Sequence, residues 1–335
     1  MTIDISTGHI VERIRQASAA IRLRREIVGL GELSDSELAT RVLSHRLMRL
    51  ARGAYIDHLE WLKLFPEQRL LAVTLAYAKL YKRRGWIFAR ESAAALWGLP
   101  LFGLDGLRAH VSVPPESPGR STRPVARHVE TLDPEELVEI AGVRFTSLER
   151  TVVDLAHSAA PELAIGALDA AVRAMFRMDR GAEIAELEGW REATLARLAG
   201  SWRPGVRSAR QVLRLADGRA ESVLESVSRL QLARLRVRHE VQVPVFVGEE
   251  RIYWVDFEFL GQQAYGEVDG SVKYLDPAAR HGRSADEVVL AEKRREDDIR
   301  GATGKRMVRW DARHVRSARD LGARLGDFGI RIPPG

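Results

Sequence analysis

Four acidic side chains in the last third of the chain stand at spacings that could build a metal site. Glu225 opens an amphipathic helical segment, Asp256 lies in the strand-like run 252–259, and Glu267 and Asp269 lie in the run 263–269. Because side chains alternate between the two faces of a strand, Glu267 and Asp269 share one face. If the two runs pair as neighbouring strands, we expect two to four carboxylates to converge.

Converging carboxylates repel one another unless a cation lies among them, and Mg²⁺ or Mn²⁺ prefers oxygen ligands of this kind. Such an ion would polarise a phosphodiester and lower the pKa of a bound water. The pattern therefore predicts metal binding by Asp256, Glu267 and Asp269 and hydrolysis of nucleic acid. The alternative is that these acids lie on a solvated sheet face.

The distribution of charge points to a polyanionic partner. The chain has a net charge of +6, yet residues 201–240 carry +5 and residues 293–319 carry +6, so the remainder is acidic. A basic C-terminal part of this kind is typical of proteins that bind nucleic acid. Arginine-rich surfaces also arise from GC-rich codon usage, and charge alone does not separate these explanations.

Two groups of basic residues are candidates for DNA contacts. Residues 34–56 read as a capped helix followed by a hairpin with a glycine turn, which is the pattern of a winged helix. Its candidate contacts are His45, Arg46, Arg49 and Arg52. A winged helix used only for protein contacts is the alternative. The second group, Arg203, Arg207, Arg210 and Arg214, recurs at a spacing that keeps these arginines on one side of a helix.

Composition excludes several classes of protein. The 335 residues include no cysteine, which removes disulfides, thiolate metal sites and cysteine nucleophiles and is typical of a reducing compartment. The longest apolar run, residues 70–78, is far shorter than the roughly 20 residues that cross a bilayer. We therefore expect a cytoplasmic protein with no membrane partner. Walker, dinucleotide-binding and zinc-protease motifs are absent from the sequence.

Residues 25–160 resemble the AbiEi-type abortive-infection antitoxins. The resemblance depends on RLARGAY at 49–55, ESAAALWGLP at 91–100 and GVRFTSLERTVVDLA at 142–156. It implies a winged helix followed by an α+β domain, DNA binding that represses the protein's own operon, and a cognate nucleotidyltransferase-like toxin as a partner.

Residues 220–310 resemble the PD-(D/E)XK nucleases, in particular the very-short-patch repair endonucleases. The motifs are SVLE at 222–225, VD at 255–256, EVDGSVKY at 267–274, EKRRED at 292–297 and MVRW at 307–310. The resemblance implies that Asp256 and Glu267 bind the metal and that Glu225 orders the site. The family's lysine is replaced by Asp269, so Lys273 or Lys293 would have to supply the cation.

The elements that must position these residues predict an α+β multidomain protein. We expect a winged helix over residues 1–60, an antitoxin-like α+β domain over 61–160, a helical connector over 161–205 and a nuclease-like α/β domain over 206–335. One helix is expected over residues 9–28. Two functions follow as hypotheses: a metal-dependent DNA endonuclease or nickase active in phage defence, or a non-catalytic DNA-binding regulator of a toxin–antitoxin system whose nuclease fold is degenerate.

Overall fold

A computed structural model describes residues 4–116, 119–178, 185–198, 205–249, 251–269 and 285–334. Over these residues the protein is a mixed α+β structure with thirteen α-helices and three β-sheets. The predicted α+β class is therefore confirmed, whereas the winged-helix and nuclease-like assignments stay predictions.

The N-terminal part combines three helices with a small antiparallel sheet of order β1-β3-β2. Its elements are α1 (Thr7–Ala19), β1 (Arg22–Leu23), α2 (Arg24–Ile27), α3 (Asp35–Leu43), β2 (Leu47–Ala51) and β3 (Ala54–Asp57). The Ser34 hydroxyl accepts the N–H of Glu37, and the Glu37 carboxylate accepts the N–H of Ser34, so the capping box expected at α3 is present.

The single helix predicted over residues 9–28 is wrong. The chain leaves the helix after Ala19 because Arg22 and Leu23 pair with β3, where the Leu23 side chain is buried. The Lys79 ammonium donates to the carbonyls of Ser18 and Ile21 and so satisfies the groups that the helix end leaves free. The helical periodicity does not reveal this pairing, because its partner strand lies some thirty residues away.

The middle of the chain forms a five-stranded sheet of order β6-β5-β4-β8-β7, against which α6 packs. The elements are α4 (His58–Lys63), α5 (Pro66–Leu80), β4 (Ile87–Phe88), α6 (Arg90–Trp97), β5 (Ala109–Val113), β6 (Val125–Val129), β7 (Leu137–Ile140), β8 (Val143–Thr146) and α7 (Leu148–Ser158). A short 3₁₀ turn, Lys82–Arg84, joins α5 to β4. Ser147 caps α7 by accepting the N–H of Arg150.

Four further helices connect this sheet to the C-terminal part: α8 (Pro161–Phe176), α9 (Ala185–Arg197), α10 (Val206–Arg214) and α11 (Val223–Arg234). Helix α8 packs against α11, and the buried Asp169 of α8 forms an ion pair with Arg229 of α11. One continuous hydrophobic core extends from Ile10 to Ile330 through these helices. The division of the chain at residues 60, 160 and 205 stays a prediction.

The C-terminal sheet has the order β12-β11-β10-β9. Its elements are β9 (His239–Val247), β10 (Arg251–Phe259), β11 (Ala264–Asp269), α12 (Ala285–Thr303), β12 (Arg306–Asp311) and α13 (Ala318–Asp327). Strands β9, β10 and β11 are antiparallel neighbours, whereas β12 runs parallel to β11. Among the described helices, none combines the length and apolar composition that a membrane span requires.

Candidate functional site

Glu225 is fixed at the start of α11. Ser222 caps the helix by accepting the N–H of Glu225 at 3.2 Å. The buried carboxylate then accepts two hydrogen bonds on Oε2, from the N–H of Glu221 at 2.8 Å and from the amide of Gln242 at 2.9 Å. The acid expected to order the site is therefore held rigidly against β9.

Gln242 marks a point where the sheet changes its packing. The β9–β10 pairs on either side, Val243↔Val255 and Val241↔Phe257, set Gln242 opposite Asp256. Val241 and Phe257 belong to the main core, whereas Val243 and Val255 pack in a separate cluster with a residue of α12. Residues two apart on a regular strand face the same side, so both strands change face here.

The backbone of Gln242 accommodates this change with a positive φ of 49°. A non-glycine residue in this left-handed region costs on the order of 1–3 kcal/mol and persists only where its surroundings hold it. The buried amide of Gln242 is held by Glu225. Strain of this kind is concentrated at functional sites, and nothing in the sequence pattern of β9 indicated it.

Asp256 and Glu267 lie beside each other where β10 and β11 stop pairing. The ladder between the two strands ends at Phe257↔Gly266, so the next position sets Asp256 opposite Glu267. The Asp256 Oδ2 atom accepts the N–H of Val268 at 2.8 Å, in place of a backbone carbonyl from β10. The two carboxylates predicted to share a metal thus come from adjacent positions on neighbouring strands.

Two arginines bind Glu267 directly. Arg295 Nη1 of α12 lies 2.5 Å from Glu267 Oε1, and Arg309 Nη2 of β12 lies 3.2 Å from Glu267 Oε2. Burial raises the pKa of Glu267, and the two guanidinium groups oppose this rise. Both oxygens of the predicted metal ligand therefore contact cations of the protein itself.

Arg309 links Glu267 to the other acids of the cluster. It lies 3.0 Å from Glu292, 3.4 Å from Glu296 and 3.7 Å from Asp269. Among the described residues, four carboxylates thus surround two arginines. We call Asp256, Glu267, Asp269, Glu292, Glu296, Arg295 and Arg309 the acidic cluster.

The acidic cluster does not form a ready set of metal ligands. Over the residues described, no three His, Asp or Glu side chains are arranged to hold an ion. Carboxylates are the donors that Mg²⁺ and Mn²⁺ prefer, but an ion at Glu267 would have to displace Arg295 or Arg309. Metal binding by Asp256, Glu267 and Asp269 stays a prediction.

Lys293, one of the two lysines proposed to replace the missing family lysine, does not contact Glu267. Lys293 is exposed on α12 and makes no hydrogen bond or ion pair to another described residue, and Lys273 lies outside the described residues. Among the described residues, the cations that contact Glu267 are Arg295 and Arg309. The sequence did not single out Arg295 as a site residue, and this arginine also lies 3.6 Å from Glu292. Arg309 could have been found because it alternates with the buried Val308 and Trp310.

The basic candidates form two exposed surfaces. In the first, His45, Arg46, Arg49 and Arg52 are all exposed around the β2–β3 hairpin. In the second, Arg207, Arg210 and Arg214 line one depression of about 430 Å³ on α10, as their helical spacing predicted, and Arg203 lies outside the described residues. Comparisons with protein-family models and with curated proteins found no match, so both family resemblances stay predictions.

Proposed function

We propose that this protein binds DNA and acts as a non-catalytic regulator, with contacts to phosphate from the hairpin surface and the α10 surface. The observation that carries the proposal is the α10 depression, which is lined by Arg207, Arg210 and Arg214 and by no acidic residue among those that the structure describes. Phosphate contacts from arginine supply most of the affinity of sequence-independent DNA binding.

The hairpin surface supports the same partner. Arg46, Arg49 and Arg52 are exposed, and none of them forms an ion pair with another described residue. An exposed arginine without a carboxylate partner remains available for a phosphate, whereas a paired one must first give up its partner. A three-helix unit with an antiparallel hairpin is also the form in which winged helices present such residues to DNA.

The state of the acidic cluster favours a regulator over an enzyme. Glu267 is neutralised by Arg295 and Arg309, and Asp269 stands where the nuclease family has its lysine. The resemblance to AbiEi-type antitoxins supports control of the protein's own operon and a nucleotidyltransferase-like toxin as a second partner. The nuclease-like part would then serve DNA binding or assembly.

Salt dependence tests the DNA-binding proposal. A protein that neutralises six phosphates has a log–log slope of about −5 for duplex binding against salt, with roughly 0.9 per contact. We expect the double variant Arg207→Ala/Arg214→Ala to weaken binding to a 20-base-pair duplex and to reduce the slope by about 2. The matched control is Arg15→Ala, which removes an exposed arginine from α1. A slope equal to that of the unaltered protein would overturn the α10 surface as a DNA contact.

A second candidate function is hydrolysis of DNA with Mg²⁺ or Mn²⁺. The observation that favours it is the position of Asp256 beside Glu267 where their strands stop pairing, next to the strained Gln242. The carboxylates of the acidic cluster are also donors of the kind that a divalent cation prefers.

Nicking of supercoiled plasmid tests this second candidate. Asp256→Asn keeps an acceptor for the N–H of Val268 while removing the charge, so the hydrogen bond between the strands is kept and the metal affinity falls. If the protein is a nuclease, nicking with either metal is lost in this variant and retained in Asp297→Asn, which alters an exposed acid of α12. Nicking that survives Asp256→Asn, or none with either metal, rejects the enzyme and leaves the regulator.

A further inference from the structure

A third basic site lies between the hairpin and the five-stranded sheet, and it shares Arg49 and Arg52 with the hairpin surface. It is a cleft of about 570 Å³ lined by the end of β2 and its turn, the end of α5, the start of β4 and the loop that leads into β6. This volume is within the range that small-molecule and nucleotide sites occupy, roughly 300–1,000 Å³. We call it the aromatic cleft.

One wall of the aromatic cleft consists of three rings. Tyr77 and Tyr81 stack with centroids 6.0 Å apart and planes at 11°, and Tyr81 lies 4.9 Å from Trp86. Tyr77 is buried, whereas Tyr81 is 36% exposed and Trp86 is half-buried. The rings thus form a ladder anchored in the core whose outer members present area to the cleft.

Four arginines line the same cleft: Arg49, Arg52, Arg84 and Arg127. The Arg84 guanidinium lies 5.2 Å from the Tyr81 ring centroid, and that of Arg127 lies 5.5 Å from the Trp86 centroid. Among the described residues, no acidic side chain lines the cleft and none of the four arginines forms an ion pair. Four unbalanced positive charges in a confined space favour an anionic ligand.

The local backbone explains why Arg84 and Trp86 both reach the cleft. The 3₁₀ turn Lys82–Arg84 ends at Gly85, which has a φ of 58°. This left-handed conformation, which glycine adopts without strain, reverses the chain between the two residues. The neighbouring Arg83 belongs to the same turn but does not line the cleft.

We propose that the aromatic cleft binds an unpaired nucleotide, with its base stacked on Tyr81 and Trp86 and its phosphate held by Arg84 and Arg127. A planar ring and a phosphate are the two groups that a ring wall and a set of arginines recognise together. Bases inside a duplex are stacked on one another and cannot enter a cleft. The ligand is therefore a nucleotide of single-stranded nucleic acid or a free nucleotide. This inference is separate from duplex binding by the α10 surface, and it assigns the bound nucleotide to Tyr81, Trp86, Arg84 and Arg127, which are not part of the hairpin surface.

Fluorescence anisotropy with a labelled twelve-residue oligothymidylate tests the proposal. Loss of a stacking side chain typically weakens binding by roughly 5- to 150-fold, so Trp86→Ala should show a decrease in this range and Trp86→Phe a smaller one. Arg84→Ala should weaken binding about tenfold, whereas the matched control Arg83→Ala should have little effect. Duplex affinity of all four variants should stay near that of the unaltered protein.

Two probes identify what is recognised. An oligonucleotide of the same length that lacks its bases should bind much more weakly than the oligothymidylate, and competition by thymidine monophosphate decides between a free nucleotide and a strand. Equal affinity of the two oligonucleotides, or unchanged affinity in both Trp86→Phe and Arg84→Ala, would overturn the proposal. Circular dichroism establishes whether each variant is folded. If Trp86→Ala is not folded, Arg84→Ala still tests the proposal.

Discussion

Glu267 is buried between two guanidinium groups, and this pairing decides how the acidic cluster responds to substitution. Its position in a strand beside Asp256 could be predicted, because alternation and pairing of strands are readable from the sequence. Its partners could not, because Arg295 and Arg309 lie on a helix and a strand that reach Glu267 only through the crossover from β11 to β12. The strain at Gln242 could not be predicted for a similar reason, because the residue that holds its side chain, Glu225, lies on another element.

Removal of Arg309 should destabilise the protein in a pH-dependent way. Arg309→Ala leaves Glu267 with one cation, so we expect the free energy of unfolding at pH 7 to fall by about 1–3 kcal/mol. The pKa of Glu267 is already raised by burial, and loss of Arg309 raises it further. A carboxyl group whose pKa is raised in the folded state stabilises the fold when it is protonated. The destabilisation caused by Arg309→Ala should therefore become smaller as the pH falls from 7 towards 4.

Urea unfolding at several pH values measures this effect. The matched control is Arg313→Ala, because Arg313 is 79% exposed and pairs only with Asp311 among the charged residues described. Exposed pairs of this kind contribute little to stability. If Arg309→Ala lowers the free energy of unfolding no more than Arg313→Ala does at every pH, the second cation beside Glu267 does not stabilise the fold.

At the scale of elements, the capped helix α3 and the β2–β3 hairpin followed from local signals, since Ser34, Glu37 and the turn glycine act within a few residues. Strand β7, Leu137–Ile140, gives no comparable local signal, because only its last residue is buried and one buried residue provides no alternation to detect. The helix predicted over residues 9–28 failed for the opposite reason. Its periodicity was clear, but pairing with a distant strand outweighed it.

Gly266 shows how closely the elements of the C-terminal sheet pack. A Cβ at this position would lie 2.5 Å from Cη2 of Trp310 and 3.1 Å from Cζ of Phe259. Trp310 is itself fixed, because its indole N–H donates to Ser228 of α11 at 2.8 Å. Gly266→Ala should therefore lower the free energy of unfolding by about 1–3 kcal/mol, the usual cost of an overpacked core.

Gly301→Ala provides the matched comparison for thermal unfolding. Gly301 lies in α12 with no neighbour within 4 Å of an added Cβ, and alanine favours a helix by roughly 1 kcal/mol over glycine. We expect opposite signs, with a lower melting temperature for Gly266→Ala and a higher one for Gly301→Ala. Equal changes in melting temperature would mean that the sheet and α11 can move apart at Trp310 without loss of stability.

At the scale of the whole molecule, the sequence indicated separate basic and acidic regions but not how they are joined. Composition and charge are sums over the chain, so the basic C-terminal part could be read directly. The ion pair that links α8 to α11 joins residues 60 positions apart in the sequence, so no local pattern predicts it. It also crosses the boundary expected at residue 205, because Asp169 lies before it and Arg229 after it.

The Asp169–Arg229 pair should therefore couple the two parts of the protein. Asp169 is fully buried, accepts the N–H of Asp217 at 2.9 Å and is paired with Arg229. Arg229→Ala leaves a buried carboxylate without its cation, so we expect a loss of about 3–5 kcal/mol in the free energy of unfolding at pH 7. Because the core is continuous, the fluorescence and circular-dichroism transitions should shift together.

The dependence on pH distinguishes this electrostatic role from simple packing. Burial raises the pKa of Asp169 to about 6, so its protonated form stabilises the fold below that value and this contribution is lost as the pH rises through 6. The cost of Arg229→Ala should thus be largest at pH 7 and smaller at pH 5. Adding Asp169→Asn should remove most of that difference. The control Arg234→Ala breaks a more exposed α11–α8 pair with Glu162 and should cost at most about 1 kcal/mol. A cost for Arg229→Ala that is equal at both pH values would assign the residue a packing role only.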